Sequence, residues 1–259
     1  MSLLPKSGFF ILFALFLLAP GCARLVLPDM PAQKSDPARF QLARLESRNE
    51  DIRPYTGIGT LRFISDQETW SFRGAWLGVP DQWRFRVESI GIAGQPSIRL
   101  ICDGEACHFI YPENGCYRKI STRERNLGRL AGIDMEVADL VVLLGGGIPL
   151  VPHDTAWIEE ESTGPVMIMH RRFYGMVGKI YFSPDMSRAH TVELFGFRRL
   201  KYRAEIPSTI LVDGHVVPDL LLIENEAAAM ALRVERSWFD VSYSPESFVP
   251  VLPENKKCN

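Results

Sequence analysis

The chain has 259 residues, of which 46% are hydrophobic and 23% charged, and its formal net charge is −2 at pH 7. These values are normal for a globular protein, and the absence of a basic excess argues against a nucleic-acid partner. The length suits one large β domain as well as two small ones.

Residues 1–21 have the layout of a secretory signal, with Lys6 ahead of an apolar run, residues 9–18. A helix of about ten residues rises only about 15 Å, so the run is too short to cross a bilayer core of about 30 Å. Cys22 then follows small residues. This resembles a bacterial lipobox, whose cysteine is acylated, for example with palmitate, although Ala19 stands where that pattern prefers Leu. The alternative is an ordinary secretory signal that happens to contain a cysteine.

Residues 22–34 are predicted to be the lipidated N-terminus and a tether, because they contain prolines and little apolar pattern. Under the enterobacterial sorting rule, Asp after the cysteine retains a lipoprotein in the inner membrane. Ala23 stands there instead, so the expected destination is the outer membrane. Residues 35–259 are expected to form a single domain, since no linker divides them.

The dipeptide Asp-Pro at 36–37 predicts the start of a helix, because a capping side chain is followed by proline at the first helical position. The helix is expected to run to about Asn49. Ala38, Leu42 and Leu45 share one narrow face of it. Such a face favours a helix that covers the edge of a sheet.

After the helix, apolar and polar residues alternate over four segments up to Leu100, which is typical of an antiparallel sheet with one apolar face. Turn residues then lead to two more strands. The apolar face is unusually bulky, because five large residues are predicted to point the same way: Trp70, Phe72, Trp76, Trp83 and Phe85. Such a face needs a cover or a ligand. Complete filling by another sheet or a helix is the plainer alternative.

A buried helix is predicted over residues 132–145, with Asp134 as its N-cap and Gly145 at its end. Its second half is apolar nearly all round, so it is expected to be buried on more than one side. Six further strands are predicted, over residues 166–170, 179–182, 191–195, 202–206, 220–223 and 231–234, with turns at 164–165 and 218–219 among others. Residues 248–253 are expected to be extended. Strands on both sides of one helix indicate a single continuous sheet.

These parts together resemble LolB-like members of the LolA/LolB lipoprotein localisation factor family. The matching features are the lipobox, the N-terminal helix, residues 64–67 after the first strand and residues 132–149 for a lid helix. The resemblance implies a mainly β (α+β) fold, an unclosed antiparallel β half-barrel with a helical lid over an apolar cavity that holds acyl chains. The longer C-terminal part looks more like the carrier branch of the family.

The resemblance also implies roles for individual residues. Ile92 falls in the place of the family's membrane hook, a short loop with an exposed apolar residue, and is expected to dip into the membrane surface. The alternative is a loop residue folded back onto the body. The residues expected to line or close the acyl-chain cavity are Trp70, Phe72, Trp76, Trp83, Phe85, Val87, Ile98, Leu100, Leu140, Leu143 and Leu144.

Two of the five cysteines, Cys102 and Cys107, face each other across a predicted hairpin at about disulfide range. A disulfide between them is the favoured interpretation, and free thiols are the alternative. Haem attachment through Cys107 and His108 lacks the usual spacing. A metal site that adds Cys116 is not favoured either, so neither a metal nor a cofactor is predicted.

The sequence contains no hydrolase elbow, no zinc-protease motif and no phosphate loop, so no enzyme activity is expected. The predicted function is that of an outer-membrane-anchored lipoprotein on the periplasmic face that binds acyl chains and helps to receive or insert lipoproteins. Its expected partners are acyl chains or other lipid, the outer membrane and a periplasmic LolA-like carrier, and it is expected to be a monomer. The alternative is a structural envelope lipoprotein of the same fold, which binds a protein partner and transfers no lipid.

Overall fold

The computed structural model describes residues 36–65, 69–91, 96–112, 114–120, 127, 132–197 and 199–253. These residues belong to one compact unit. They contain two α-helices, α1 (Asp36–Glu50) and α2 (Val137–Leu144), and two 3₁₀ helices, Pro80–Gln82 and Pro245–Phe248. None of the described helices combines the length and the apolar character that a membrane crossing requires.

Most of the described chain is β-strand. The strands are β1 (Tyr55–Ser65), β2 (Thr69–Val79), β3 (Arg84–Ser89), β4 (Arg99–Asp103), β5 (Cys107–Tyr111), β6 (Cys116–Ile120), β7 (Thr155–Glu161), β8 (Gly164–Arg171), β9 (Gly175–Phe182), β10 (Ala189–Phe195), β11 (Leu200–Val212), β12 (His215–Glu224) and β13 (Ala228–Phe239). Together they form one sheet of 13 strands in the order β6-β5-β4-β3-β2-β1-β13-β12-β11-β10-β9-β8-β7.

The sheet is antiparallel throughout and does not close, because β6 and β7 are its two edges. At its centre β1 pairs with β13 along its whole length, with Tyr55 opposite Phe239 and Ser65 opposite Ala228. This long-range pairing joins the strands that precede α2 to those that follow it. The predictions of a mainly β fold and of one continuous, unclosed antiparallel sheet are therefore confirmed.

The strand directions give the sheet two rims, because connections between antiparallel neighbours alternate from one end to the other. We call one of them the open rim: it carries the ends of the strand pairs β1–β2, β3–β4, β8–β9, β10–β11 and β12–β13. The other is the helix rim, because side chains of α1 donate hydrogen bonds to backbone carbonyls there. Arg44 of α1 donates to the carbonyl of Met186 (3.0 Å), and Arg48 donates to that of Val216 (2.9 Å).

Helix α1 covers an edge of the sheet, as its narrow apolar face predicts. Ala38, Leu42 and Leu45 are buried, and the helix packs against the edge strand β7. The side chain of Gln41 is also buried and donates from Nε2 to the carbonyl of Met186 (3.3 Å).

Helix α2 is shorter than predicted, because it begins at Val137 rather than near residue 132. The predicted N-cap, Asp134, lies outside the helix, and Glu136 takes the N-cap position without a side-chain hydrogen bond. Ile133 and Met135 are both buried, and burial of alternate residues suits an extended segment better than a helical turn. The carbonyl of Met135 accepts a hydrogen bond from the N–H of Leu127 (2.7 Å), and its N–H donates to the carbonyl of Ile133 (2.8 Å). This short-range bond forms a tight turn before the helix rather than a helical turn.

Some turn and strand predictions are wrong. Residues 164–165 begin β8 instead of forming a turn, and residues 218–219 lie within β12. Pro218 is accommodated there because it lies beside an irregularity in the pairing of β11 with β12. Strand β7 was not predicted, because half-exposed and charged residues obscure its alternation.

The C-terminal part contributes a 3₁₀ helix where extended chain was expected from residue 248. Phe248 is the last residue of this helix and is 1% exposed. It forms a small second core with Val79, Ile101 and Ile110. These strand residues point away from the main core, so the C-terminal segment covers part of the outer face of the sheet.

Candidate functional site

The first half of the sheet, β13 and α2 surround an apolar cavity of about 50 Å³. The side chains leave it as a narrow slot rather than a chamber. Every lining residue is apolar: Leu61, Phe63, Trp70, Phe72, Trp76, Phe85, Val87, Ile98, Leu100, Phe109, Leu127, Leu140, Leu144, Met230 and Leu232.

The walls follow from strand alternation, because every second residue of a strand points to the same face. Phe63 of β1 lies opposite Trp70 of β2 in the ladder, and their rings stack with centroids 4.2 Å apart. The rings of Trp70 and Phe72 stack at 5.6 Å. These three aromatic residues form a continuous wall on one side of the cavity.

Gly57 makes room for the largest side chain of the deep wall. It lies opposite Trp76 in the ladder, and a Cβ atom at position 57 would approach the indole ring of Trp76 to 2.5 Å. The absence of a side chain at this position lets the indole lie flat on β1. Trp76 is consequently 3% exposed, although it is one of the bulkiest residues in the chain.

Helix α2 forms the opposite wall through Leu140 and Leu144. Two sets of hydrogen bonds hold it there. The buried hydroxyl of Tyr55 donates to the carbonyl of Val141 (2.6 Å). Just after the helix, the side-chain amide of Asn49 donates to the carbonyl of Ile148 (2.8 Å) and accepts from its N–H (3.0 Å). The lid is therefore fastened to β1 and to the end of α1.

Gly146 ends the lid helix. It has a φ of 87° and donates from its N–H to the carbonyl of Leu143 (3.0 Å). A Cβ atom there would also approach the carbonyl oxygen of Val216 to 2.2 Å. Only glycine meets both conditions without strain, so the predicted glycine stop of this helix has a clear structural basis.

Burial along the cavity shows where it opens. The deep residues Trp76 and Phe85 are buried, whereas Phe63, Trp70 and Ile98 are half-buried. Phe63 and Trp70 lie close to the ends of β1 and β2, and Ile98 lies just before β4. All three positions are on the open rim, so the mouth of the cavity faces that rim.

Asp139 brings a carboxyl group into the lid. Burial, reinforced by the nearby charge of Glu136, raises its pKa to about 6, although Tyr202 and Lys201 act in the opposite direction. The Tyr202 hydroxyl is buried beside it and makes no hydrogen bond of good geometry in the described structure. Burial and the neighbouring carboxyl raise the pKa of Tyr202 well above its ordinary value.

The structure places all but two of the predicted lining residues around the cavity. Trp83 is one exception: it follows the first 3₁₀ helix in a left-handed conformation (φ 53°) and is 49% exposed, because β3 begins only at Arg84. Leu143 is the other: it is fully buried, but on a face of α2 that does not line the cavity. Cys22 and Ile92 lie outside the described residues.

Sequence reasoning did not assign six of the lining residues: Leu61, Phe63, Phe109, Leu127, Met230 and Leu232. Leu61 and Phe63 carried a usable signal, since they belong to the same apolar alternation as their neighbours. Met230 and Leu232 carried none, because they reach the cavity only through the pairing of β13 with β1.

Cys102 and Cys107 lie directly opposite each other on β4 and β5, with a Cα–Cα distance of 4.0 Å, and their sulfur atoms are bonded. Cys116 is also disulfide-bonded. These three sulfur atoms therefore offer no thiolate to a metal or a haem. The described part of the chain holds no group of three or more His, Cys, Asp or Glu residues arranged to bind a metal ion.

Comparison with known proteins gives structural matches only. No protein-family model and no curated protein matches the sequence. A domain from Vibrio parahaemolyticus assigned to outer membrane lipoprotein sorting is similar with a TM-score of 0.55 at 10% identity, over 81% of this chain and 94% of that one. A DUF1329 family protein from Desulfovibrio piger is similar with a TM-score of 0.56 at 10% identity, over the same shares of the two chains.

A LolA superfamily protein from Nitrosomonas europaea is similar with a TM-score of 0.55 at 13% identity, over 80% of this chain and 96% of that one. At these identities the likeness concerns the fold alone. The chain therefore has a LolA-like fold, in which an unclosed antiparallel sheet and a short helix enclose the cavity.

Proposed function

We propose that this chain is a cell-envelope protein that binds acyl chains in the apolar cavity and helps to receive or insert lipoproteins at the outer membrane, as LolB-like receptors do. The cavity carries the proposal, because its lining is entirely apolar, α2 closes one wall and the mouth faces one rim. The structural likeness to a domain assigned to outer membrane lipoprotein sorting supports it.

The energetics suit acyl chains better than a polar ligand. Each CH₂ group moved out of water contributes about 0.8 kcal/mol. A polar group placed in this cavity would meet only indole N–H groups and one thioether as hydrogen-bonding side-chain groups. The lining residues carry no titratable group either. The proposal accordingly assigns binding and release to the cavity and no catalytic step.

The rest of the mechanism is proposed from the sequence. An acyl group on Cys22 would hold the protein at the outer membrane, and Ile92 would act as the hook that enters the membrane surface. A periplasmic carrier of LolA type would deliver the cargo to the monomeric receptor. The structural-lipoprotein alternative requires a filled interior, so acyl-chain binding is the measurement that separates the two proposals.

The experiment that tests the proposal measures acyl-chain binding to the chain from Gln33 onward, which contains the whole compact unit. Native mass spectrometry after expression in a bacterial periplasm should show bound lipid or a complex with a lipoprotein. A fluorescent fatty acid should bind, and Val87→Trp should weaken its binding at least about tenfold, because the larger ring fills the slot where each lost CH₂ contact costs about 0.8 kcal/mol.

Val216→Trp is the matched control, since Val216 is 42% exposed on the helix rim and does not line the cavity. This variant should bind the fatty acid as the unchanged protein does. Failure of the unchanged protein to bind fatty acid, lipid or lipoprotein would refute the proposal. Equal binding by Val87→Trp would show that acyl chains bind elsewhere.

A further inference from the structure

The β8–β9 hairpin carries an aromatic and cationic tip on the open rim. Phe173 is 85% exposed and Tyr174 is 51% exposed. The guanidinium group of Arg172 lies 5.1 Å from the centre of the Phe173 ring, and that of Arg171 lies 4.9 Å from the centre of the Tyr174 ring. Within the described part of the chain, neither guanidinium group has a carboxylate partner. The tip therefore exposes apolar surface and two arginine side chains together.

Backbone contacts hold this tip in place. The carboxylate of Asp154 accepts a hydrogen bond from the backbone N–H of Arg172 (2.5 Å). The backbone N–H of Asp154 donates to the carbonyl of His170 (2.9 Å). Phe173 adopts a φ of 70°, in the left-handed region that glycine and asparagine occupy at less cost. An exposed phenylalanine in that conformation adds nothing to the core, and such a residue points to a function at the surface.

The neighbouring β10–β11 hairpin repeats the pattern. Phe197 is 70% exposed, and Arg198 and Arg199 follow it in the sequence. Among the described residues, Arg199 forms an ion pair with Glu226 at 3.6 Å, and both side chains are exposed. Such a pair contributes little in water. Because β9 and β10 are antiparallel neighbours, this tip lies on the same rim as Phe173.

Single exposed apolar residues are ordinary on protein surfaces. Leu211 on the helix rim is an example, because it is 72% exposed and followed closely by Asp213 rather than by a cation. The two hairpin tips differ from it, since aromatic rings and arginines occur together there. Aromatic rings favour the interface between water and lipid, and anionic headgroups attract arginines.

We propose that the β8–β9 and β10–β11 tips form a docking surface for a membrane that contains anionic phospholipids. The rings of Phe173 and Phe197 enter the headgroup region, and the arginines bind the lipid phosphates. The mouth of the cavity faces the same rim, so docking through these tips directs the mouth towards the bilayer. This inference goes beyond the proposed function. The protein can dock to a membrane without a bound acyl chain, and it can bind an acyl chain without a membrane.

The test is flotation of the chain from Gln33 onward with vesicles of phosphatidylcholine, with and without phosphatidylglycerol. Binding to the anionic vesicles should exceed binding to the neutral ones. Phe173→Ser should lower the partition coefficient about tenfold or more, because it removes a large apolar group. Arg171→Gln and Arg172→Gln should each lower it about fivefold at low salt, and only the arginine effects should shrink as salt is added.

Phe40→Ser and Leu211→Ser are the matched controls. Phe40 lies on α1 and is 68% exposed, and Leu211 lies at the helix-rim end of β11 and is 72% exposed. They should leave flotation unchanged. No binding to anionic vesicles, or equal binding by Phe173→Ser, would overturn the proposal. Unchanged fatty-acid binding and thermal unfolding of Phe173→Ser, measured without vesicles, would show that the loss concerns docking alone.

Discussion

Asp139 places a carboxyl group on a helix whose other residues are almost all aliphatic. Burial against the sheet raises its pKa to about 6, and the nearby Glu136 adds to the shift. The buried hydroxyl of Tyr202 is its neighbour on β11. The protonated form of Asp139 is therefore favoured in the folded protein relative to the unfolded chain, and the lid carries a group that titrates just below neutral pH.

The folding stability should accordingly depend on pH through this residue. Because folding raises the pKa of Asp139, this residue contributes its full stabilisation below about pH 4. The contribution, about 1–3 kcal/mol in total, is lost as the pH rises through about 6. Asp139→Asn should remove this part of the pH dependence of the free energy of unfolding. The variant should be more stable than the unchanged protein at neutral pH. Urea unfolding of both proteins between about pH 4 and pH 8 measures the difference. Parallel curves would contradict the assignment.

Helix α2 shows what an element of eight residues needs in order to act as a lid. A helix this short is not stable alone in water, so packing and tertiary hydrogen bonds must hold it. The Tyr55 hydroxyl on Val141 and the Asn49 amide on Ile148 supply such bonds. The glycines at 145–147 stop the helix so that the following chain can leave the sheet.

Tyr55→Phe should loosen the lid without removing it. The variant loses one buried hydrogen bond, worth about 0.5–1.5 kcal/mol, while the Val141 carbonyl keeps its bond from the Gly145 N–H. Hydrogen exchange of the α2 amides should therefore become faster than in the unchanged protein. Tyr181→Phe is the control, because that hydroxyl donates to Glu193 on β10, far in sequence from the lid. Unchanged α2 exchange in Tyr55→Phe would show that packing alone holds the lid.

The whole molecule combines a lid over an apolar cavity, a mouth on one rim and a sequence that predicts a lipid anchor. In the proposed function the anchor keeps the protein at the outer membrane while the cavity receives acyl chains. The two requirements are separable, because the anchor residue precedes the compact unit that begins at Gln33.

Cys22→Ser should release the protein from the membrane. Loss of the thiol prevents acylation, and the acyl chains supply the membrane affinity of a lipid-anchored protein. Membrane fractionation of a producing bacterium and the intact mass of the product measure the effect. Ala23→Asp is the companion variant: it should stay acylated but move to the inner membrane under the enterobacterial rule. Membrane attachment of Cys22→Ser would contradict the anchor assignment.

Local pattern was sufficient for several elements. The Asp-Pro pair marked the start of α1, and alternation identified the apolar side of β1 to β4 as well as most of the cavity wall. It did so because capping, proline geometry and the strand period of two act between residues close in sequence. The same local reasoning misplaced Trp83. The alternation of apolar and polar residues along a strand does not show at which residue the strand begins.

The sequence by itself determined that a bulky aromatic face and an apolar helix would meet, and that a single antiparallel sheet would carry them. Only the tertiary structure decided that β13 closes the wall with Met230 and Leu232, and that Ile133 and Met135 are buried outside α2. It also decided that only a narrow apolar slot remains under the lid. The reason is that strand pairing between distant segments and the volume left between packed elements are properties of the assembled molecule, which no short stretch of sequence specifies.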